Sequence, residues 1–178
     1  MPILLKIFPE KCSACRSCEM ICPLVNDNSL NPDKSRISVM RFFKKHYQLP
    51  YNFPSTCRQC ADAPCLSACP TGAIYRSKDE TQKICIDYDT CIKCGTCVGA
   101  CPFGVMFFDP AAKSPYKCEL CDGKPACAAI CPTEAIVFRR QNRFFSQSVS
   151  LQMEGISLLR ENNKRQLRKK RSKNKIRR

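Results

Sequence analysis

Short apolar stretches bounded by turn residues recur along the chain, and their alternation predicts β-strands. Three of these stretches each follow a Cys-Pro pair, and two others lie between such pairs. The five predicted strands span residues 36–43, 73–75, 83–87, 105–108 and 135–138. Turn residues fill 26–34, and a proline-interrupted loop is expected over residues 50–54. Short strands interleaved with loops and short helices predict a small α+β fold.

The pattern changes toward the C-terminal end. Four apolar residues from Val149 to Leu159 recur at helical spacing, which predicts an amphipathic helix within residues 146–170. The residues that follow are mostly Lys, Arg, Asn and Ser. We therefore divide the chain into a body, residues 1–140, and a basic helical arm, residues 141–178.

Sixteen of the seventeen cysteines form four near-copies of one pattern that ends in Cys-Pro. The first run contains Cys12, Cys15, Cys18 and Cys22, the second Cys57, Cys60, Cys65 and Cys69, the third Cys91, Cys94, Cys97 and Cys101, and the fourth Cys118, Cys121, Cys127 and Cys131. The first and third have the Cys-x2-Cys-x2-Cys-x3-Cys-Pro spacing of the bacterial ferredoxin run, which ligates [4Fe–4S] clusters. The second and fourth insert two or three residues before the third cysteine. Sixteen thiolates are enough for four clusters, which predicts an electron-transfer protein.

Zinc and disulfides are the alternative uses of clustered cysteines. Two Cys-x2-Cys pairs complete a zinc site, so zinc has no use for a third cysteine two residues later. Disulfide frameworks belong to secreted chains, and Lys6 interrupts the only apolar stretch near the N-terminus, so no signal peptide is expected. No stretch approaches the length of a membrane span. These observations favour iron–sulfur clusters in a cytoplasmic protein. Cys85, the seventeenth cysteine, is expected to be a small buried residue.

The net charge of +15 is concentrated at one end. Residues 1–138 contain 16 Lys and Arg against 13 Asp and Glu, a net charge of +3, whereas residues 139–178 contain 14 against 2, a net charge of +12. Each oxidised cluster with four thiolates adds about −2. The loaded body is therefore expected to be acidic and the arm basic.

The order of plain and widened cysteine runs resembles that of the four-cluster electron-transfer subunits of molybdenum and tungsten pterin enzymes, such as the dimethyl sulfoxide reductase and formate dehydrogenase groups. The resemblance covers about residues 3–138. It implies two pseudo-symmetric ferredoxin-like halves, with the first run paired to the fourth and the second to the third. The implied ligand sets are Cys12, Cys15, Cys18 and Cys131; Cys22, Cys118, Cys121 and Cys127; Cys57, Cys60, Cys65 and Cys101; and Cys69, Cys91, Cys94 and Cys97. Pairing in sequence order, first with second and third with fourth, is the alternative, and spacing alone does not separate the two.

The chain is shorter than the larger members of that family, which makes it similar to the compact small subunits of tungsten aldehyde oxidoreductases. The implied function is a relay of single electrons between a catalytic pterin subunit and an external carrier. No nucleophile, general base or substrate pocket is evident in the sequence, so the chain is not expected to be an enzyme by itself. A free, diffusible polyferredoxin is an alternative function.

The basic arm admits three interpretations. It is a solvated charge run, a nucleic-acid-binding segment, or a docking helix for an acidic surface. Nucleic-acid binding is disfavoured because no aromatic residue follows Phe145 to stack on bases. Another copy of the acidic body is a suitable receiver, and such head-to-tail contacts would join copies into a chain of clusters.

Deletion of residues 141–178 tests this self-association. We expect the truncated protein to keep its iron content and to lose oligomer mass, because only the arm supplies the basic contact. Multi-angle light scattering of the full and truncated proteins measures the difference. An unchanged mass would contradict the docking hypothesis.

Overall fold

Short strands and short helices alternate in the part of the chain that the structure describes. The structure is a computed structural model, and it describes residues 3–42 and 51–140. The strands are β1 (Ile3–Ile7), β2 (Ile37–Phe42), β3 (Tyr51–Thr56), β4 (Ile74–Arg76), β5 (Ile84–Ile86), β6 (Phe107–Asp109), β7 (Ser114–Tyr116) and β8 (Ile136–Arg140). The helices are α1 (Ser17–Asp27), α2 (Pro64–Ser67), α3 (Thr96–Ala100) and α4 (Ala126–Ala129). The predicted α+β class is confirmed, while the helix predicted within 146–170 lies outside the described residues. Within those residues, no helix combines the length and the apolarity that crossing a bilayer requires.

The strands form four antiparallel pairs: β1 with β8, β2 with β3, β4 with β5, and β6 with β7. Three of these pairs are local, but β1 and β8 lie at opposite ends of the body. Ile7 stands opposite Ile136 in their register, and both side chains are buried. The end of the body therefore folds back onto its beginning, and this brings the fourth cysteine run to the first.

Two separate hydrophobic cores are present, and each combines aliphatic side chains with cysteines. One contains Ile7, Cys18, Cys22, Ile37, Val39, Cys127 and Ile136. The other contains Ala63, Cys65, Ile74, Ile84, Ile86, Cys97 and Met106. The first core thus joins the first and fourth runs, and the second core joins the second and third.

The expected loop over residues 50–54 is wrong from Tyr51 onward, because Tyr51–Thr56 is the strand β3. Pro54 within it stands opposite Val39 of β2. The N–H of Val39 points away from β3 and donates to Oε1 of buried Glu19 at 2.5 Å. A proline at this position removes no bond of the ladder, so its missing N–H costs nothing there.

Side chains from distant cysteine runs satisfy the free edge of β5. The N–H of Ile84 donates to Oε1 of Gln59 at 2.7 Å, and the N–H of Ile86 donates to Oε1 of Glu119 at 3.2 Å. The other amide atom of Gln59, Nε2, donates to the carbonyl oxygen of Cys118 at 3.0 Å. These bonds hold the second and fourth runs against β5, since buried backbone groups require partners.

Replacement of Gln59 by Ala tests this connection. The change leaves the N–H of Ile84 buried without its acceptor, which should lower the free energy of unfolding by about 1–3 kcal/mol. The urea midpoint of the anaerobically purified protein measures the loss. Gln82→Ala is the matched control, because Gln82 is exposed and shares the left-handed backbone of Gln59, with φ values of 47° and 50°. Equal midpoints for the two variants would contradict a structural role for Gln59.

Candidate cluster-binding sites

A left-handed residue follows the first cysteine by two positions in all four runs. These residues are Ala14 (φ 60°), Gln59 (φ 50°), Lys93 (φ 59°) and Leu120 (φ 60°). The conformation is uncommon outside glycine, so its recurrence at the same position indicates a structural requirement that the four runs share. Each left-handed turn aims an N–H at the sulfur of the run's first cysteine. The bonds run from Lys93 to Cys91 at 3.4 Å, from Leu120 to Cys118 at 3.5 Å, from Ala14 to Cys12, and from Gln59 to Cys57.

The third cysteine of every run occupies the second residue of a short helix. The four are Cys18 in α1, Cys65 in α2, Cys97 in α3 and Cys127 in α4, and all are buried. The extra residues of the second and fourth runs lie before their helices. The insertions therefore change the loop but leave the helical position of the third cysteine unchanged.

Two cavities each collect cysteines from two different runs. One is lined by Cys12, Cys15, Cys18 and Cys131. The other is lined by Cys69, Cys91, Cys94 and Cys97. Each cavity receives three cysteines of one run and the last cysteine of another. Sequence-order pairing would instead bring Cys69 to the first run.

The remaining cysteines form two further groups. The amide nitrogen of Asn26 lies 3.8 Å from Sγ of Cys22 and 3.7 Å from Sγ of Cys121. Burial raises the pKa of Cys127, and charges on Cys118, Cys121 and Cys22 raise it further. Those four cysteines are thus neighbours. Burial likewise raises the pKa values of Cys57, Cys60 and Cys65, and a charge on Cys101 raises all three further. These four cysteines form the other group.

The four groups follow one another in a row. Cysteines of successive groups lie close enough for a charge on one to raise the pKa of the other. A charge on Cys18 raises the pKa of Cys127, which connects the first group to the second. A charge on Cys118 raises the pKa of Cys57, which connects the second group to the third. A charge on Cys65 raises the pKa of Cys97, which connects the third group to the fourth. We number the groups along this row as sites 1 to 4, from the Cys12 group to the Cys69 group.

The ends of the row reach solvent. Cys15 at site 1 and Cys94 at site 4 are exposed, whereas every cysteine of sites 2 and 3 is buried or half-buried. Hydroxyl groups next to the exposed sulfurs lower their pKa values, from Ser17 at Cys15 and from Thr96 at Cys94. An electron would therefore enter or leave at an end and would be shielded from water in between.

The donor chemistry fits iron–sulfur clusters. Burial raises the pKa values of Cys18 and Cys57 to about 12, and thiolates crowded in this way need a cationic core to offset their charge. Among residues 3–42 and 51–140, no three Cys, His, Asp or Glu side chains converge closely enough to hold a single metal ion. A core of four irons is larger than one ion and spaces its ligands farther apart. Cys85 lies outside all four groups and is buried in β5, as expected from the sequence.

Several residues that support these sites were not predicted from the sequence. Asn26 bridges two sulfurs of site 2, and Gln59 and Lys117 donate to the carbonyl oxygen of Cys118. The N–H of Arg36 also donates to Sγ of Cys22 at 3.3 Å. Their sequence positions follow no spacing rule, so only the fold reveals them.

Comparison with known proteins identifies iron–sulfur domains in the regions that contain the cysteine runs. Residues 49–141 match the family described as a 4Fe–4S dicluster domain, and residues 9–33 match a 4Fe–4S binding domain. The chain is 42% identical to the polyferredoxin-like subunit of aliphatic sulfonate oxidoreductase from Pyrococcus furiosus, over 72% of this chain and 71% of that protein. It is 34% identical to the thiosulfate reductase electron transfer subunit PhsB of Salmonella typhi, over 74% and 72%, and 33% identical to the electron transport protein HydN of Escherichia coli, over 75% and 86%. The chain therefore belongs to the 4Fe–4S dicluster family of electron-transfer proteins.

Proposed function

We propose that this chain is the electron-transfer subunit of an oxidoreductase complex and relays single electrons through four [4Fe–4S] clusters. The sixteen cysteines of sites 1 to 4 are the proposed iron ligands, in two pseudo-symmetric halves. Sites 1 and 2 belong to one half, and sites 3 and 4 belong to the other. The observation that carries the proposal is the row of four cysteine groups with exposed sulfurs at its two ends.

The clusters would supply the one-electron chemistry, and the protein sets the conditions for it. The N–H groups of the left-handed turns donate to the first sulfur of each run, which stabilises negative charge on that sulfur. Asn26 donates to two sulfurs of site 2. The short helices and the two apolar cores exclude water from the inner sites. Cys15 and Cys94 then mark the two places where a partner can exchange electrons with the row.

The proposed partner is a catalytic subunit of the molybdenum or tungsten pterin type, with the tungsten aldehyde oxidoreductase group as the specific candidate. Two of the relatives reported above are named as subunits of an oxidoreductase and of a reductase, which supports a catalytic partner of some kind. The second partner is an external electron carrier. We place the complex in the cytoplasm, where clustered thiols stay reduced and available to metal.

The pairing of cysteine runs is testable by iron analysis of double variants. The wild type should contain about 16 iron atoms per chain. Cys12→Ala combined with Cys131→Ala removes two ligands of one proposed cluster, so only one cluster, about 4 iron atoms, should be lost. Cys12→Ala combined with Cys69→Ala affects two clusters and should lose about twice as much.

Pairing in sequence order would reverse these two results, because Cys12 and Cys69 would then share a cluster. Cys85→Ala is the control for loss of a cysteine as such. It should keep all four clusters, since Cys85 lies outside the four sites.

Purification of the native complex tests the relay. The tagged chain, isolated anaerobically from its own cells, should carry a catalytic subunit that contains tungsten or molybdenum, identified by native mass spectrometry and metal analysis. Addition of the substrate of that subunit should reduce the clusters, as followed by electron paramagnetic resonance. A chain that purifies alone with all its clusters and accepts electrons only from small carriers would instead be a free polyferredoxin.

A further inference from the structure

A lysine lies buried beside the inner cluster sites. Lys117 is 1% exposed, although lysine is among the residues least often buried completely. Its Nζ donates to the carbonyl oxygen of Cys118 at 3.0 Å and also to the carbonyl oxygen of Ile84. The side chain is therefore fixed by two bonds within the protein, and its charge has a defined place.

That place lies between site 2 and site 3. Cys118 belongs to site 2, and Gln59, which follows the first cysteine of site 3 by two residues, donates to the same Cys118 oxygen at 3.0 Å. Gln59 also accepts from the N–H of Ile84, whose carbonyl oxygen receives Nζ of Lys117. Lys117 and Gln59 thus form hydrogen bonds with the same two residues, Ile84 and Cys118. In agreement, burial raises the pKa values of Cys57 and Cys65 at site 3 and of Cys118 at site 2, and the charge of Lys117 opposes this rise at all three.

The buried ammonium has no carboxylate partner among residues 3–42 and 51–140, whose ion pairs involve other groups. A buried charge without a partner costs several kcal/mol. The two carbonyl oxygens offset part of this cost, and the charge of Lys117 interacts with the sulfurs of Cys57 and Cys65 at site 3, of Cys118 at site 2, and of Cys85. The arrangement is that of a cation held between two anionic groups.

We propose that Lys117 is a counter-ion shared by the two inner clusters and that its charge raises their reduction potentials. The inference rests on the ligand sets proposed above. Reduction of a cluster adds one electron and therefore one negative charge, which the fixed ammonium stabilises at short range and low dielectric. Loss of the ammonium should make both inner clusters harder to reduce and leave the outer two unchanged.

The test is a redox titration of the anaerobically purified full chain, with dithionite as the electron donor and electron paramagnetic resonance as the readout. Lys117→Met keeps much of the side-chain length without the charge, and Lys117→Gln keeps a hydrogen-bond donor without the charge. In both, we expect two of the four midpoint potentials to fall by about 59 mV or more, which corresponds to a tenfold change in the equilibrium constant of a one-electron couple. Lys117→Arg keeps the charge and should restore both potentials.

Lys124→Met is the matched control, because Lys124 lies within the cysteine run that Lys117 immediately precedes, carries the same charge and is exposed. Water and salt screen an exposed charge, so its removal should leave all four potentials nearly unchanged. Iron and sulfide analysis comes first. A wild type that lacks iron would refute the cluster assignment itself, whereas loaded neutral variants with unchanged potentials would refute only the role of Lys117.

An equal fall at all four clusters would also refute this role, because it would indicate a general structural change. If neither neutral variant retains iron, Lys117→Arg decides the question. Four clusters in that variant would support the counter-ion, because arginine preserves charge but not shape. Their absence would overturn it.

Discussion

The antiparallel pairing of β1 with β8 is the contact on which the arrangement of cysteines depends. It carries the fourth run back to the first, so that Cys131 completes a cavity with three cysteines more than a hundred positions earlier in the sequence. Burial of Ile7 and Ile136 holds the pair together. Without this contact sites 1 and 2 would each lack cysteines, because both take members from the two ends of the body.

Local backbone geometry then determines the shape of each site. A left-handed residue turns the loop around the first sulfur, and a short helix fixes the third cysteine at its second residue. Because both features recur in the widened runs, the inserted residues alter only the segment between them. Tolerance of loop insertions outside the packed elements is a general property of proteins. Here it allows a single ligand pattern to occur with three different loop lengths.

The cysteine runs and the short strands after them could be predicted from the sequence, because ligand chemistry fixes the spacing and burial fixes the apolar pattern. The strand β1 was not predicted, because its residues, Ile-Leu-Leu-Lys-Ile, do not alternate between apolar and polar positions. The strand β3 was mistaken for a loop because of Pro54 within it and Pro50 before it, and only the orientation of the Val39 N–H explains why Pro54 fits. Gln59 and Lys117 could not be found, because their partners are 59 and 33 residues away.

The nesting of one half inside the other has a consequence for biosynthesis. The cysteines of sites 3 and 4 all lie between Cys57 and Cys101, so the ribosome delivers this half as one uninterrupted piece. The half with sites 1 and 2 begins earlier but stays incomplete until β8 has been translated. Since domains fold as their residues emerge, the central half can fold first. The cysteines of the first run stay without their partners until the fourth run has been translated. On the proposed ligand sets, we therefore expect assembly to proceed from the central residues of the chain toward its two ends.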